Sequence, residues 1–288
     1  MTDLAPARTD SQPAAYRPPE GVTHAPEIDG IAAFLGGNAN VIMQLSHAPV
    51  GYGVLESTVD SGKVTLHPIK RLRTTLTYLA VAMLGTEQER AQYRQAVNGA
   101  HRQVRSTSTS PVRYNAFDPE LQKWVAACLY YGPADLLERM HGPLAPDVAD
   151  AFYRDSVRFG STLQMRPEMW PADRAAFAEY WRAGLAEAHI DAPVRRYLRD
   201  IIEMKALPKP TRALFGRSNR FFTVGLLPPD LRRQMGYEWT DADERRLDRT
   251  LRRIGRVYSH LPPLLREFPL NWCLWDMRRR NRKGIPLV

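Results

Sequence analysis

Apolar side chains recur every three or four residues along most of this 288-residue chain, the spacing that gathers them on one face of an α-helix. The segment 67–85 reads HPIKRLRTTLTYLAVAMLG and shows this spacing clearly. Pro68 lies just inside its start, and Gly85 is a natural C-terminal stop. The pattern therefore predicts a helix from Pro68 to Gly85.

The same periodicity predicts helices in most of the remaining chain. Residues 87–105 have an apolar face of Tyr93, Val97, Ala100 and Val104. Asp118 as N-cap and Pro119 at the first helical position predict another helix start. Further helices are predicted at 146–160, 172–189, 192–204 and 240–260. Since alternating strand patterns are nearly absent, we expect an all-α protein with a single large helical domain, 21–288, preceded by a flexible arm, 1–20.

Composition narrows the class of protein. The chain is 44% hydrophobic and 25% charged, which is ordinary for a globular protein. Neither cysteine belongs to a CxxC or CxxCH motif, so a disulfide framework is not expected and covalent c-type haem attachment is excluded. No signal-peptide pattern or membrane-length apolar run is present, and we expect a cytoplasmic protein.

The formal net charge of +9 admits two interpretations. It favours contact with nucleic acid or anionic lipid, or it serves solubility alone. The segment LREFPLNWCLWDMRRRNRKGIPLV combines aromatic residues with a basic run, and is either such a patch or the solvated basic end of a helix. We favour the solvated end and expect no nucleic-acid partner.

The predicted helix 68–85 has a polar seam along an otherwise apolar surface. Arg71, Thr75 and Tyr78 follow each other at i, i+4 and i+7 and so share one face. A buried arginine needs an anionic partner. That partner is either a haem propionate or an Asp or Glu side chain of the protein.

His101 lies beside the apolar face of its helix, and its imidazole is expected to point inward. Gly99 precedes it at mid-helix, which suggests a flat surface of close approach. The imidazole is either an axial haem ligand or a hydrogen-bonded core histidine. His47 is a distal-pocket group or a histidine beside helix carbonyls, and Glu56 is a proton-transfer group or a surface carboxylate.

The sequence gives less support to two other hypotheses for metal binding. Glu138 and His141 form half of a di-iron motif, but no second copy exists and the helix ends directly afterwards. Cys128 is a thiolate haem ligand or, more in keeping with its apolar neighbours, a buried inert thiol.

The segments QLSHAPVGYGV, KRLRTTLTYLAVAMLG, HRQVR, YNAFDPELQKWVAACL and LLPPDLRRQMGY occur in this order and resemble the MpaB and latex-clearing protein (rubber oxygenase) family of haem-dependent oxygenases. The resemblance covers roughly residues 30–235. It implies a globin-like helical core that holds b-type haem without a covalent bond. The Arg-x-x-x-Thr element of the family matches Arg71 and Thr75, and its axial histidine matches His101. Glu56 is the nearest match to a distal carboxylate.

Three residues depart from the family pattern, and the first two of these changes alter the pocket. Thr74 replaces the lysine that caps the haem in rubber-cleaving members, Ala126 replaces a second pocket histidine, and Ser106 replaces a glycine. The resemblance therefore does not carry rubber or a farnesyl chain over to this protein as its substrate.

From these residues we expect a haem b-dependent oxygenase that acts with O2 on an unsaturated, largely apolar small molecule. His101 would bind the iron, Arg71, Thr75 and Tyr78 would contact the haem, and Glu56 or His47 would assist catalysis. The alternatives are a peroxidase-like or haem-sensing protein, and a cofactor-free helical binding module.

Overall fold

The computed structural model describes residues 15–17, 30–59, 63 and 66–288, and this part of the chain is helical. Apart from a short 3-10 turn at Pro167–Met169, its helices are α1 (Gly30–Leu45), α2 (Ala48–Leu55), α3 (Pro68–Leu84), α4 (Glu87–His101), α5 (Pro119–His141), α6 (Pro146–Ser156), α7 (Arg158–Ser161), α8 (Arg174–Glu187), α9 (Ala192–Ile202), α10 (Lys209–Gly225), α11 (Pro229–Gln234), α12 (Asp241–Tyr258), α13 (Pro263–Arg266) and α14 (Leu270–Arg282). Within the described residues, β-type pairing is limited to two isolated bridges. The all-α prediction is confirmed.

Local capping explains where the best-predicted helices begin and end. Gly85 follows α3 as its C-cap, as predicted. The carboxylate of Asp118 accepts the Glu120 N–H at 2.9 Å and caps α5, with Pro119 as its first residue. The prediction for α4 was too long at its C-terminal end, because the helix ends at His101.

Helix α5 runs through the centre of the molecule and packs against α1 and α12. Its buried side includes Trp124, Cys128 and Leu129, which were predicted to be buried. Helix α14 packs along α3. One main hydrophobic core extends from Ala32 in α1 to Met277 in α14, so burial of a shared apolar surface holds the helices together.

Most of the predicted N-terminal arm lies outside the described residues. Of that arm, the structure describes residues 15–17, where Tyr16 pairs with Leu144 and stacks on His141 with ring centroids 4.1 Å apart. Among the described residues, no helix has both the length and the continuous apolar character that crossing a bilayer requires.

Candidate functional site

Arg71 lies near the start of α3. Its side chain is accessible to water, yet the protein atoms around it desolvate the guanidinium and lower its pKa. Tyr197 of α9 and Tyr93 of α4 counteract part of this lowering of the pKa. No described residue forms a hydrogen bond or an ion pair with the guanidinium. A guanidinium that has no ion-pair partner among the described residues is open to an anionic ligand group.

His101 ends α4 next to Arg71. Burial, together with the smaller effect of the positive charge of Arg71, lowers the pKa of its imidazole to about 4. The ring is therefore neutral at pH 7, the state that a metal ligand requires. Its Nδ1 is buried without a hydrogen-bond partner, whereas Nε2 is neither buried nor bonded to any described residue. The edge of Phe117 packs against the ring at a centroid distance of 6.3 Å.

The two remaining members of the polar seam differ in their contacts. The hydroxyl of Thr75 makes no hydrogen bond to any described residue, so it is available to a ligand. The Tyr78 hydroxyl donates to the carbonyl of Phe159, and burial raises the pKa of this phenol. Tyr78 therefore ties α3 to α7, and its hydroxyl is already occupied.

Tyr93 fixes α4 relative to α3. It is 1% exposed, and its hydroxyl donates to the carbonyl of Thr74 at 2.9 Å. Because Thr74 lies one turn beyond Arg71 and Tyr93 lies two turns before His101, this bond holds the two predicted site residues in register. The apolar spacing of residues 87–105 predicted that Tyr93 faces the core, but it gave no signal for this bond.

Glu56 forms a small polar cluster with the segment that follows His101. Its Oε2 accepts hydrogen bonds from Ser110 Oγ at 2.6 Å and from the Tyr114 hydroxyl at 2.7 Å. Tyr114 is largely buried, and a Cβ added at Gly53 of α2 would lie 3.4 Å from its ring. The carboxylate is thus half-buried and hydrogen-bonded, unlike a solvated surface glutamate.

His47 directly precedes α2 and stacks on Trp124, with ring centroids 3.8 Å apart. Its Nε2 donates to the carbonyl of Gly184 at 2.9 Å, in the last turn of α8. Burial lowers the pKa of this imidazole. Of the two roles predicted for His47, these contacts favour the histidine beside helix carbonyls, although the helix is α8 and not the one before it.

The weaker metal candidates are separate from this region. Cys128 is fully buried in the core, and burial raises the pKa of its thiol well above its ordinary value. His141 stacks on Tyr16. No group of three or more His, Cys, Asp or Glu side chains able to hold a metal occurs among the residues that the structure describes.

Comparison with known proteins identifies the family of the chain. Two relatives match this sequence with 53% identity over 250 residues, which is 87% of this chain and 98% of each relative. They are the uncharacterized proteins Rv2237 of Mycobacterium tuberculosis and Mb2261 of Mycobacterium bovis. No solved structure matches. Residues 28–258 match the model of the catalytic domain described as "ER-bound oxygenase mpaB/B'/Rubber oxygenase". The chain therefore belongs to the MpaB and rubber oxygenase catalytic-domain family.

Proposed function

We propose that this protein is a haem b-dependent oxygenase that acts with O2 on an unsaturated, largely apolar small molecule. Membership of an oxygenase family supports the reaction class. The observation that supports haem is the proximity of a neutral imidazole, His101, to Arg71, a cation without an ion-pair partner among the described residues, on adjacent helices.

His101 would be the axial ligand of the iron. A metal binds the neutral form of histidine, and the lowered pKa of His101 keeps it neutral well below pH 7. Its Nε2 is the free and accessible nitrogen, and is the atom that would bind. The buried Nδ1 then holds the remaining ring proton, and Phe117 restricts rotation of the ring.

Arg71 and Thr75 would anchor the cofactor. A guanidinium matches a carboxylate in a two-pronged hydrogen bond, so a haem propionate would neutralise Arg71. The free hydroxyl of Thr75, one turn further along the same face, is a second donor. Tyr78 shares this face, and its aromatic ring would pack beside the cofactor while its hydroxyl stays bonded to α7.

When bound, haem supplies the iron that binds and activates dioxygen. The protein would provide apolar surroundings for the substrate, with Val97 one turn before His101 on the same side of α4. Glu56 is the proposed proton-transfer group, because its carboxylate already accepts hydrogen bonds from two hydroxyls. The contacts of His47 with Trp124 and Gly184 support a structural role for this second predicted catalytic residue.

Absorption spectra of the purified protein test this proposal directly. We expect a Soret band that shifts on addition of dithionite and carbon monoxide, and that is lost in His101→Ala. His260→Ala is the matched control, because His260 is exposed and lies outside the site. A colourless wild-type protein from cells supplied with haem would support the cofactor-free binding module instead.

The reaction class needs a second experiment. Haem-loaded protein would be incubated with unsaturated apolar compounds under oxygen-18 gas, and the products analysed by mass spectrometry. Incorporation of the label is expected for an oxygenase. A haem-containing protein that incorporates none would favour the peroxidase-like or haem-sensing alternative.

A further inference from the structure

A cluster of large apolar side chains is exposed around the start of α14. Between 48% and 74% of the residue surface is exposed in Leu264, Leu265, Phe268, Trp272 and Trp275. Single exposed apolar residues are common on protein surfaces. Five within twelve consecutive positions indicate an interaction surface.

The geometry of α14 turns its aromatic and basic residues in the same direction. Trp272, Trp275, Arg279 and Arg282 are spaced at i, i+3, i+7 and i+10 and share the outer face of the helix. The opposite face, which includes Cys273 and Met277, is buried against the core. From the sequence we interpreted this aromatic and basic segment as the solvated basic end of a helix. That interpretation does not account for the two half-exposed indoles.

Both flanks of α14 are fixed by ion pairs. On one side Asp276 pairs with Arg73 of α3 at 3.6 Å. On the other side Arg278 pairs with Glu89 of α4 at 2.6 Å. The helix is therefore held in the surface of the folded protein, and the two tryptophans on its outer face are exposed.

This outer face has an excess of positive charge. The single carboxylate of Asp276 accepts hydrogen bonds from both Arg279 and Arg280, besides its pair with Arg73. The Arg279 guanidinium also lies over the Trp275 ring, 5.8 Å from its centroid. Arg282 and Lys283 are exposed and have no ion-pair partner among the described residues.

From these observations we propose that α13, α14 and the turn between them form a docking surface for a bilayer that contains anionic phospholipid. Indole rings partition to the level of lipid headgroups, and arginine and lysine bind the phosphates there. The exposed leucines and Phe268 would insert among the upper parts of the acyl chains. The proposal does not depend on the haem assignment.

Other occupants match the surface less well. A second copy of this chain would bring two positively charged faces together, which repel each other. Nucleic acid would bind the cations and stack on the indoles, but Leu264 and Leu265 would remain in water. A shallow depression beside Trp275, lined also by Glu89, Arg278 and Arg282, offers room for a headgroup rather than a deep groove for a peptide.

Vesicle co-sedimentation of the full chain tests the proposal. The vesicles would contain phosphatidylcholine alone, or phosphatidylcholine with about one third phosphatidylglycerol. One variant combines Trp272→Ser with Trp275→Ser, and a second combines Arg282→Gln with Lys283→Gln. Their matched controls are Leu214→Ser with Phe215→Ser on α10, and Arg252→Gln with Arg253→Gln on α12, all of which alter exposed side chains.

We expect the wild type to bind the anionic vesicles preferentially, and to bind them less at high salt. The double tryptophan variant should lose about ten-fold or more in vesicle affinity. The double cation variant should lose about five-fold for each charge removed, on anionic vesicles only. Thermal melting would verify that each variant is folded.

Three results would overturn the proposal. The first is no binding of the wild type to anionic vesicles at low salt. The second is an equal loss of binding in the control variants. The third is a tryptophan variant that retains vesicle binding but changes from dimer to monomer in sedimentation velocity, which would assign the surface to a second copy of the chain.

Discussion

Tyr114 donates a hydrogen bond to Glu56, with 2.7 Å between the phenol oxygen and the carboxylate Oε2. Glu56 ends α2, and the backbone carbonyl of Tyr114 accepts the Ser106 N–H. Since this segment directly follows His101, the bond connects α2 to the chain that leaves the candidate iron ligand. Burial raises the pKa of the Tyr114 phenol, and the bond to Glu56 raises it further, so the hydroxyl remains a donor at neutral pH.

Removal of the Glu56 carboxylate should destabilise the protein. Glu56→Ala leaves the largely buried Tyr114 hydroxyl without its acceptor, and we expect the free energy of unfolding in urea to fall by about 1–3 kcal/mol. Glu56→Gln keeps one acceptor oxygen and should cost less. Glu168→Ala, at an exposed glutamate, is the control. Equal effects of the two alanine variants would show that the Glu56 cluster does not stabilise the fold.

Arg71→Gln should weaken haem binding without removing the axial ligand. The change deletes the charge that would pair with a propionate, and we expect the dissociation constant, measured by Soret titration, to rise about ten-fold or more. Arg71→Lys should recover only part of the affinity, because an ammonium lacks the planar fork. Arg252→Gln on α12 is the matched control. Unchanged haem affinity in Arg71→Gln would remove Arg71 from the cofactor site.

Two glycines, each in the last turn of its helix, should respond oppositely to alanine. A methyl group at Gly99 would meet no heavy atom within 4 Å, so Gly99→Ala should raise the free energy of unfolding by about 1 kcal/mol through helix propensity. At Gly184 the new Cβ would lie 2.4 Å from the Trp124 ring, which is stacked between two other rings. Gly184→Ala should therefore destabilise by about 1–3 kcal/mol. Urea unfolding measures the change in the free energy of unfolding for both variants. Changes of the same sign would show that the space beside each glycine does not decide the effect of alanine on stability.

Helix boundaries that depend on neighbouring residues were predictable from the sequence. Asp118 and Pro119 start α5, and Gly85 ends α3, because capping is decided within one turn of the chain. The end of α4 was not predictable. There the Val104 carbonyl accepts the Ala116 N–H, and this contact within the following loop leaves Val104 outside the helix that its apolar spacing predicted.

The candidate site was predictable only where its residues lie on consecutive helices. Arg71 and His101 lie close together because α3 and α4 are joined by a short turn, and the helix that carries each residue has a clear apolar spacing. The approach of Tyr197 in α9 and the bond between Tyr114 and Glu56 depend on how distant segments pack. Such contacts produce no recognisable residue pattern in a single sequence, because neither partner restricts which residues stand next to it in the chain.

His141 should make the stability of the protein depend on pH. Burial, with a smaller effect from the charge of Arg266, lowers the pKa of its imidazole to about 4. Its Nε2 is buried without a hydrogen-bond partner. The ordinary pKa of histidine in an unfolded chain is about 6.5. As the pH falls, the unfolded chain therefore binds the proton first.

The free energy of unfolding should thus decrease as the pH falls from about 6.5 to about 4, and this contribution should level off below the folded-state pKa. Between pH 7 and pH 5, we expect His141 to account for a loss of about 2 kcal/mol. His141→Gln cannot take up this proton, so its urea unfolding should lose that much less stability over the same interval. His260→Gln, which alters an exposed histidine, should follow the wild type. Parallel pH profiles for wild type and His141→Gln would show that His141 is protonated equally in the folded and unfolded chains.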